Sequence, residues 1–208
     1  SLTVTNSDGS CFTFGSGLNL KFCSGISGDY EAKNTFSVEL TLEDTAGLVL
    51  VKTLTLTLTD VNEAPTSIAV SSSALENLAG ASFGTLSTTD PDSGDTFTYS
   101  VTGGTDSSSF EIGSSNELKF KSTISANFET KSSYSVIVSS TDSGSLSVSK
   151  TLTANVSNVN ETPTAITLTG GTLAENIAGG SFGSLSTTDP DASDSFTYSV
   201  TGGTDSAS

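Results

Sequence analysis

The sequence lacks arginine, histidine, methionine and tryptophan, and it contains only two cysteines and four prolines. Without histidine the chain cannot by itself form a Ser-His-Asp or Cys-His catalytic site or an imidazole-ligated zinc site. No hydrophobic run approaches the ~18 residues of a membrane-spanning helix, so no membrane span is expected. Seven lysines stand against 23 carboxylates, which disfavours nucleic-acid binding because that needs a basic surface. What remains is hard-metal chemistry with oxygen ligands, or a structural role.

Serine and threonine dominate what is present, with 40 and 33 of the 208 residues. Good helix formers are few, and threonine and serine are common on the solvent faces of strands, so the composition predicts an all-β chain. Hydrophobic residues make up 34% and charged residues 14%, which is too apolar for a solvated acidic tail. The formal net charge of -16 makes cations the natural partners of the surface.

The sequence repeats itself at a period of about one small domain. Phe12–Phe22 aligns with Phe110–Phe120 at an offset of 98 residues. A second set, Ser82–Leu86 and Ser181–Leu185, is displaced by 99 residues. A slip of one residue over such a distance indicates tandem domains.

The boundaries between repeats carry a shared motif. It reads Asp-Val-Asn-Glu-Ala-Pro at Asp60–Pro65 and Asn-Val-Asn-Glu-Thr-Pro at Asn158–Pro163. Because the chain starts at Ser1 without an initiator methionine and stops within a repeat, we expect it to be a piece of a longer, processed protein. The predicted domains are a partial repeat (1–64), a complete repeat (65–162) and the front part of a third (163–208).

Short alternating runs in the complete repeat predict its strands. Seven such runs in about 98 residues, separated by Gly, Ser, Asp and Asn clusters, are typical of a β-sandwich. In the first repeat, Leu54, Leu56 and Leu58 alternate with threonines, so one face of that strand is expected to pack on a core. The runs are Ile68–Val70, Phe83–Leu86, Phe97–Val101, Phe110–Ile112, Leu118–Phe120, Tyr134–Val138 and Leu146–Val156.

Acidic residues recur at fixed positions of the repeat, close to the boundaries. A single aspartate there is ordinarily a turn or cap residue, but turns alone would not restore the same acidic sets in each repeat. Calcium takes about six to eight oxygen ligands from Asp, Glu, Asn and backbone carbonyls, so these sets indicate calcium sites. The recurring elements are Glu76 and Glu175 before Asn, Asp90-Pro-Asp92 and Asp189-Pro-Asp191, Asp29-Tyr-Glu31, Asp44 and Asp142 after a strand, and Asp60-Val-Asn-Glu63.

Together these motifs resemble cadherin repeats, most closely the bacterial cadherin-like repeats with DVNEAP linkers of long surface proteins and adhesins. The resemblance covers essentially the whole chain. It implies tandem seven-stranded Greek-key β-sandwiches arranged end to end, calcium (Ca2+) held between successive domains, an extracellular or cell-surface location and no enzymatic activity. The ligands it implies at the first junction are Asp29, Glu31, Asp60, Asn62, Glu63, Asp90, Asp92 and Asp142. Those at the second junction are Glu76, Glu129, Asn160, Glu161, Asp189 and Asp191.

The two junctions differ in charge. Asn127 and Asn158 stand where Asp29 and Asp60 do, and each keeps an oxygen but loses a charge. The carboxylates among the implied ligands are seven at the first junction and five at the second. Because carboxylate number helps to set calcium affinity, we expect the second junction to bind fewer or weaker ions.

Cys11 and Cys23 flank Phe12–Phe22, and the turn at Gly15–Gly17 makes the cysteines face each other if the strand pairing is symmetric. A disulfide closing this loop of about 13 residues would stabilise the fold by roughly 3 kcal/mol. The alternative is two buried thiols, but Ser109 and Lys121 occupy the equivalent positions, which favours a surface site. We therefore predict a disulfide and an oxidising compartment.

The leading functional hypothesis is a calcium-stiffened extender or adhesive segment of a large surface protein. Its expected partners are calcium, neighbouring repeats or identical chains, and a cell-surface or matrix ligand. The alternative is a self-assembling fibre subunit, because 163–208 supplies front strands and 1–64 supplies back strands, so identical chains could complete one another by head-to-tail strand exchange. A glycosidase would need a cleft around its carboxylates, and a glycan-binding module an exposed aromatic cluster; the sequence shows neither.

Overall fold

A computed structural model describes residues 1–6 and 11–204 of the chain, and the fold is all-β. The helices of this described part are two single 3-10 turns, Ser16–Leu18 and Ser107–Ser109. No helix found there is long and apolar enough to cross a membrane. The strands are β1 (Leu2–Asn6), β2 (Phe12–Phe14), β3 (Leu20–Phe22), β4 (Thr35–Glu43), β5 (Val49–Thr57), β6 (Ser67–Val70), β7 (Ala74–Leu75), β8 (Ser82–Thr89), β9 (Thr98–Gly103), β10 (Phe110–Ile112), β11 (Glu117–Phe120), β12 (Ser133–Thr141), β13 (Ser147–Ser157), β14 (Ala165–Gly170) and β15 (Gly183–Thr188).

The chain divides into two compact units, which are not the sequence repeats. The first comprises Ser1–Ile68, Thr88–Thr98 and Ser140–Val148, and the second comprises Ala69–Ser87, Tyr99–Ser139 and Ser149–Ser208. Both units take residues from the predicted complete repeat, so the repeat boundaries stay a prediction from sequence. All residues predicted for the first junction lie in the first unit, and all those predicted for the second junction lie in the second.

The first unit is built on a three-stranded antiparallel sheet of order β1-β4-β5. Its register pairs Phe36 with Leu56 and Val38 with Leu54, so the predicted apolar positions share one face. Phe36 and Val38 are buried against Phe12 of the β2–β3 hairpin. The alternation of leucine with threonine in β5 therefore builds a core on one face only.

The β2–β3 hairpin has the predicted symmetric register. Phe12 pairs with Phe22, and their rings stack with centroids 4.8 Å apart. Cys11 and Cys23 form a disulfide just beyond this pair, with their Cα atoms 5.4 Å apart.

Residues 67–157 form two four-stranded sheets, of orders β10-β11-β8-β6 and β7-β13-β12-β9. The predicted β-sandwich is confirmed, and its seven predicted runs correspond to seven of these strands. The eighth strand, Ala74–Leu75, pairs in parallel with the end of β13 and was not predicted. Only two residues long, it leaves no run of alternating residues to detect.

Aromatic rings pack together in the core of the second unit. The Phe83 ring lies 4.9 Å from that of Phe120, and Phe120 lies 5.0 Å from Tyr134 on the other sheet. On β13, Leu152 and Ala154 are buried while the alternating Thr151 and Thr153 are exposed. Farther along the chain, β14 and β15 form an antiparallel hairpin whose apolar side chains are exposed.

Candidate metal centres at the two junctions

Three aspartates of the first junction, Asp90, Asp95 and Asp142, converge and are called here the first aspartate cluster. Each contributes an oxygen, and these oxygens all lie within 4.8 Å of one another. Asp142 is 6% exposed, and its Oδ1 accepts the N–H of Leu146 at 2.8 Å, which fixes it at the turn between β12 and β13. One buried oxygen of Asp90 and one of Asp95 have no hydrogen-bond partner. A bound cation would compensate for the loss of hydration at such buried carboxylate oxygens.

Asn62 attaches the linker to this cluster. Its Nδ2 donates to Asp142 Oδ2 at 3.1 Å and to the backbone oxygen of Glu63, also at 3.1 Å. Gly144 makes room for this approach, because a Cβ there would lie 2.3 Å from the Asn62 side chain. The linker thus docks on the turn that follows β12.

A second group, the first linker cluster, consists of Glu31, Glu63 and Asp92, whose oxygens also lie within 4.8 Å of one another. The Glu63 N–H donates to Asp92 Oδ2 at 2.7 Å, and the Asp92 N–H donates to Asp90 Oδ1 at 3.0 Å. These two backbone donors connect the linker cluster to the aspartate cluster. The first junction is therefore one continuous acidic site.

The carboxylates of this site repel one another. Desolvation, followed by the charges of Glu31, Asp92, Asp29 and Asp60, raises the pKa of Glu63 above its ordinary 4.5. A divalent cation would offset this repulsion, because a bound metal is the largest local charge in such a site.

Asp29 and Asp60 belong to neither cluster. The Oδ1 of Asp29 accepts the N–H of Ala32 at 2.8 Å, so Asp29 holds the turn that presents Glu31. Asp60 lines a cavity of about 290 Å³ beside Glu31. Both are close enough to Glu63 to act on its pKa, as described above. The cavity is lined by Tyr30, Glu31, Asn34, Asp60, Pro91 and Ser93.

At the second junction, Glu76, Glu129 and Glu161 form the second linker cluster, again within 4.8 Å. Glu76 is 2% exposed and accepts two backbone N–H groups, from Phe128 at 2.6 Å and from Val159 at 2.8 Å. One buried oxygen of Glu161 has no partner. Glu76 thus ties three chain segments together.

The backbone conformation of Asn77 explains why the Glu-Asn motif contains an asparagine. Its φ is 60°, a left-handed conformation that asparagine tolerates better than most residues, and Asn176 has φ 66° at the equivalent position. The Nδ2 of Asn77 donates to Glu161 Oε1 at 2.6 Å. Asn77 therefore shapes the turn and also touches the cluster.

The second aspartate cluster consists of Asp189, Asp191 and Asp194. The Glu161 N–H donates to Asp191 Oδ2 at 2.6 Å, and the Asp191 N–H donates to Asp189 Oδ1 at 2.9 Å, which repeats the hydrogen bonds of the first junction. One buried oxygen of Asp189 has no partner. A cavity of about 410 Å³ lies beside this cluster. It is lined by Phe128, Glu129, Asn158, Pro190, Asp191, Ala192, Ser193 and Asp194.

Charge repulsion also marks the second junction. A backbone hydrogen bond lowers the pKa of Glu129, but desolvation and the charges of Glu161, Glu76 and Asp191 outweigh it, so the net pKa is raised above 4.5. Repulsion between neighbouring carboxylates is thus common to both junctions.

The structure brings most of the predicted carboxylates together and adds two. Asp95 and Asp194 lie in the aspartate clusters although the sequence analysis did not select them. Their signal was present, because each stands three residues after an Asp-Pro-Asp and they are offset by 99 residues. Asn160 lies in the second linker, where its Nδ2 donates to the Glu161 backbone oxygen at 3.2 Å.

The spacing of the oxygens fits calcium. Oxygens bound ~2.4 Å from one ion are at most ~4.8 Å apart, and a calcium site accepts both carboxylate and amide oxygens. Each cluster meets this spacing, and three of the four contain a buried oxygen without a donor among the described residues.

Comparison with solved structures finds cadherin extracellular domains. The human desmocollin-1 ectodomain matches 93% of this chain and 40% of its own, with a TM-score of 0.60 and 18% identity. Human protocadherin-24 EC1-2 matches 76% of this chain and 81% of its own, with a TM-score of 0.58 and 20% identity. The protocadherin gammaB7 EC3-6 cis-dimer structure matches 85% of this chain, with a TM-score of 0.55 and 19% identity.

The chain spans 44% of the protocadherin gammaB7 chain, less than half its length. The sequence matches no protein-family model and no curated protein. At these identities the likeness shows the fold, and the predicted cadherin-like β-sandwich is confirmed.

Proposed function

We propose that this chain is a calcium-binding segment of a long extracellular protein and that calcium at each junction stiffens it. The observation that carries the proposal is the recurrence, at both junctions, of clustered carboxylates with buried oxygens that no donor satisfies. The likeness of the motifs to cadherin repeats, and of the fold to cadherin domains, supports it.

At the first junction four segments would hold the metal. The linker supplies Asn62 and Glu63, the turn after β3 supplies Glu31, the loop after β8 supplies Asp90, Asp92 and Asp95, and the turn after β12 supplies Asp142. Bound calcium supplies positive charge shared among these ligands. Without it the carboxylates repel one another and the linker is free to bend. With calcium bound, the linker and the loops coordinate the same metal, and bending the linker would break metal–ligand bonds.

The proposed affinities differ between the junctions. Counting Asp95 and Asp194 raises the carboxylates from seven to eight at the first junction and from five to six at the second. The first junction is therefore proposed to bind more ions or to bind them more tightly, since charge count tunes calcium affinity.

The proposed location is outside the cell, on a surface protein of bacterial type. The disulfide between Cys11 and Cys23 supports this, because disulfides persist in oxidising environments. In this setting the repeats would act as an extender that carries an adhesive function, with a cell-surface or matrix ligand as its partner.

Calorimetric titration of calcium into the metal-free chain and its Asp90→Asn variant tests the proposal. Loss of an outer-shell group already costs about tenfold in metal affinity, so loss of a ligand carboxylate is expected to weaken the tightest sites by at least about tenfold. Asp90→Asn keeps the shape of the side chain and removes its charge.

Glu111→Gln is the matched control, because Glu111 pairs with Lys119 on a strand outside every cluster. It removes the same charge and is expected to leave the isotherm unchanged. If titration of the unaltered chain with calcium gave no heat of binding, or if the two variants gave equal isotherms, the result would count against calcium at this site.

A further inference from the structure

Two hydroxyl groups meet inside the sandwich near the ends of β8 and β12. The Oγ1 of Thr88 and the Oγ of Ser140 are 2.7 Å apart, either hydroxyl can be the donor, and Ser140 is 0% exposed. Thr88 lies on β8 and Ser140 on β12, which belong to different sheets. Both residues are part of the first compact unit. Their hydrogen bond therefore joins two strands that no main-chain ladder connects.

The inward-facing side chains that precede this pair are apolar. Along β8 the buried Leu86 comes two residues before Thr88. Along β12 the buried Val138 comes two residues before Ser140. Since side chains two residues apart share a face of a strand, an apolar pair would have continued the core. The first repeat has Leu42 at the position of Ser140, so the strand itself does not require a hydroxyl there.

A buried hydroxyl pair adds little to the stability of a fold, because its hydrogen bond replaces hydrogen bonds to water. Two apolar side chains of the same shape can serve as well in this respect. What the hydroxyl pair offers over an apolar contact is a preferred direction and a short, narrowly defined distance. Such a pair therefore suits a place where the separation of two strands has to be closely set.

The first aspartate cluster begins just beyond the hydroxyl pair. Strand β8 ends one residue before Asp90, and β12 ends one residue before Asp142. Asp95 is tied to the turn after β12, because Ser143 Oγ donates to Asp95 Oδ1 at 2.7 Å. The three carboxylates repel one another when no metal is bound, which pushes the two strand ends apart. A hydrogen bond between these strand ends resists that separation.

We infer that Thr88 and Ser140 are positioning residues for calcium at the first junction, an inference that rests on the proposed function. Main-chain hydrogen bonds hold each strand within its own sheet, but only side chains set the distance between the sheets. The Thr88–Ser140 bond holds the strand ends together in the metal-free protein, so Asp90 and Asp142 are already close enough to share an ion. Ligands arranged in advance bind more tightly, because less conformational freedom is lost on binding.

Calcium titration followed by amide resonances tests the inference at each junction separately. The N–H groups of Asp92 and Leu146 donate to carboxylates of the first aspartate cluster, so their resonances report calcium binding there. The N–H of Glu161 donates to a carboxylate of the second aspartate cluster and reports the second junction in the same sample. An effect confined to the first junction can thus be distinguished from a general one.

Thr88→Val removes one hydroxyl of the pair and keeps the shape of the side chain. We expect the calcium midpoints at Asp92 and Leu146 to rise about threefold to tenfold, as the loss of one net hydrogen bond implies, and the midpoint at Glu161 to stay unchanged. Thr88→Ser keeps the hydroxyl and is expected to bind calcium as the unaltered chain does. Thr102→Val is the matched control, because Thr102 is exposed on β9 outside every cluster, and it is expected to change no midpoint.

A double variant, Thr88→Val with Ser140→Ala, separates positioning from stability. It removes both hydroxyls and leaves neither one buried without a partner, so its melting temperature in chelator is expected to stay close to that of the unaltered chain. Its calcium midpoints at the first junction are expected to rise as much as in Thr88→Val alone, since the same hydrogen bond is lost. A lower melting temperature with unchanged midpoints would show that the pair only stabilises the core, and would overturn the inference.

The same titrations separate this inference from the proposed function. If the unaltered chain binds calcium at the first junction and Thr88→Val binds it equally well, the positioning role is refuted and the proposed function stands. An equal rise of the midpoint at Glu161 also refutes the positioning role, because the effect would not be local. If Asp92 and Leu146 do not respond to calcium in the unaltered chain, the proposed function fails and the inference fails with it.

Discussion

Individual acidic and amide residues at the junctions divide into proposed calcium ligands and residues that hold turns. Asp29 and Asn127 hold equivalent turns, accepting the N–H of Ala32 at 2.8 Å and of Thr130 at 2.7 Å. A capping residue needs an acceptor oxygen and not a charge, so either residue serves. Asn127 thus removes a charge from the second junction without changing the turn that presents Glu129. Comparison of the repeats in the sequence predicted the difference in charge between the junctions. It could not separate the residue that caps the turn, Asp29 or Asn127, from the proposed calcium ligands.

The raised pKa of Glu63 predicts a pH dependence for the stability of the metal-free protein. Its folded pKa is raised above 4.5, so its contribution to stability is present below that pH and is lost as the pH rises through the folded pKa. We expect the melting temperature of the metal-free chain to fall as the pH is raised from 4.5 to neutrality. Glu63→Gln is expected to flatten the profile, as measured by circular dichroism.

Glu39→Gln, on a strand away from the clusters, serves as the charge-matched control and is expected to follow the unaltered chain. With calcium present the trend should reverse, because protons compete with metal for the same carboxylates. A melting temperature that rises with pH in metal-free protein would contradict this account of Glu63.

Among the structural elements, the turn after β12 connects sandwich and linker. The alternating runs predicted most strands because a half-buried strand leaves a period of two in the sequence. The turns left no comparable signal for their contacts. Gly144 shows why, because its importance comes from Asn62, which lies far away in the chain. Ala46 at the equivalent position of the first repeat would have suggested that the glycine is dispensable.

Gly144→Ala is expected to weaken calcium binding at the first junction and leave the sandwich folded. The new Cβ would lie 2.3 Å from the Asn62 side chain, so Asn62 must leave Asp142. Calcium titration and thermal unfolding of the same samples measure the two effects. In an Asn62→Ala background the substitution is expected to have little further effect, since the contact is already gone. Additive losses in that double variant would show that Gly144 acts by another route.

For the whole molecule, the acidic surface is concentrated where the repeats meet. Fourteen of the 23 acidic residues belong to the two junctions, the eight and six counted above. Under the proposed function, calcium would neutralise the most crowded charges of a chain whose net charge is -16. The proposed function therefore makes the stiffness of the chain depend on calcium.

Small-angle scattering of monomeric chain with calcium and with chelator measures this dependence. We expect a larger maximum dimension and a narrower distance distribution with calcium, because shared ligands restrict the linkers. Asp90→Asn should need more calcium to reach the same state. An unchanged maximum dimension across the titration would refute the stiffening role.

The sequence by itself determined the β-sandwich fold, the repeat period, the β2–β3 register and most carboxylates of the clusters. These follow from local patterns, since strand alternation and tandem repetition are written in neighbouring residues or at a fixed offset. Only the tertiary structure decided that Asp95 and Asp194 join the clusters, that Asp29 and Asp60 stand beside them, and that Gly144 admits Asn62. Those facts depend on distances between segments far apart in the chain, which spacing along the sequence does not fix.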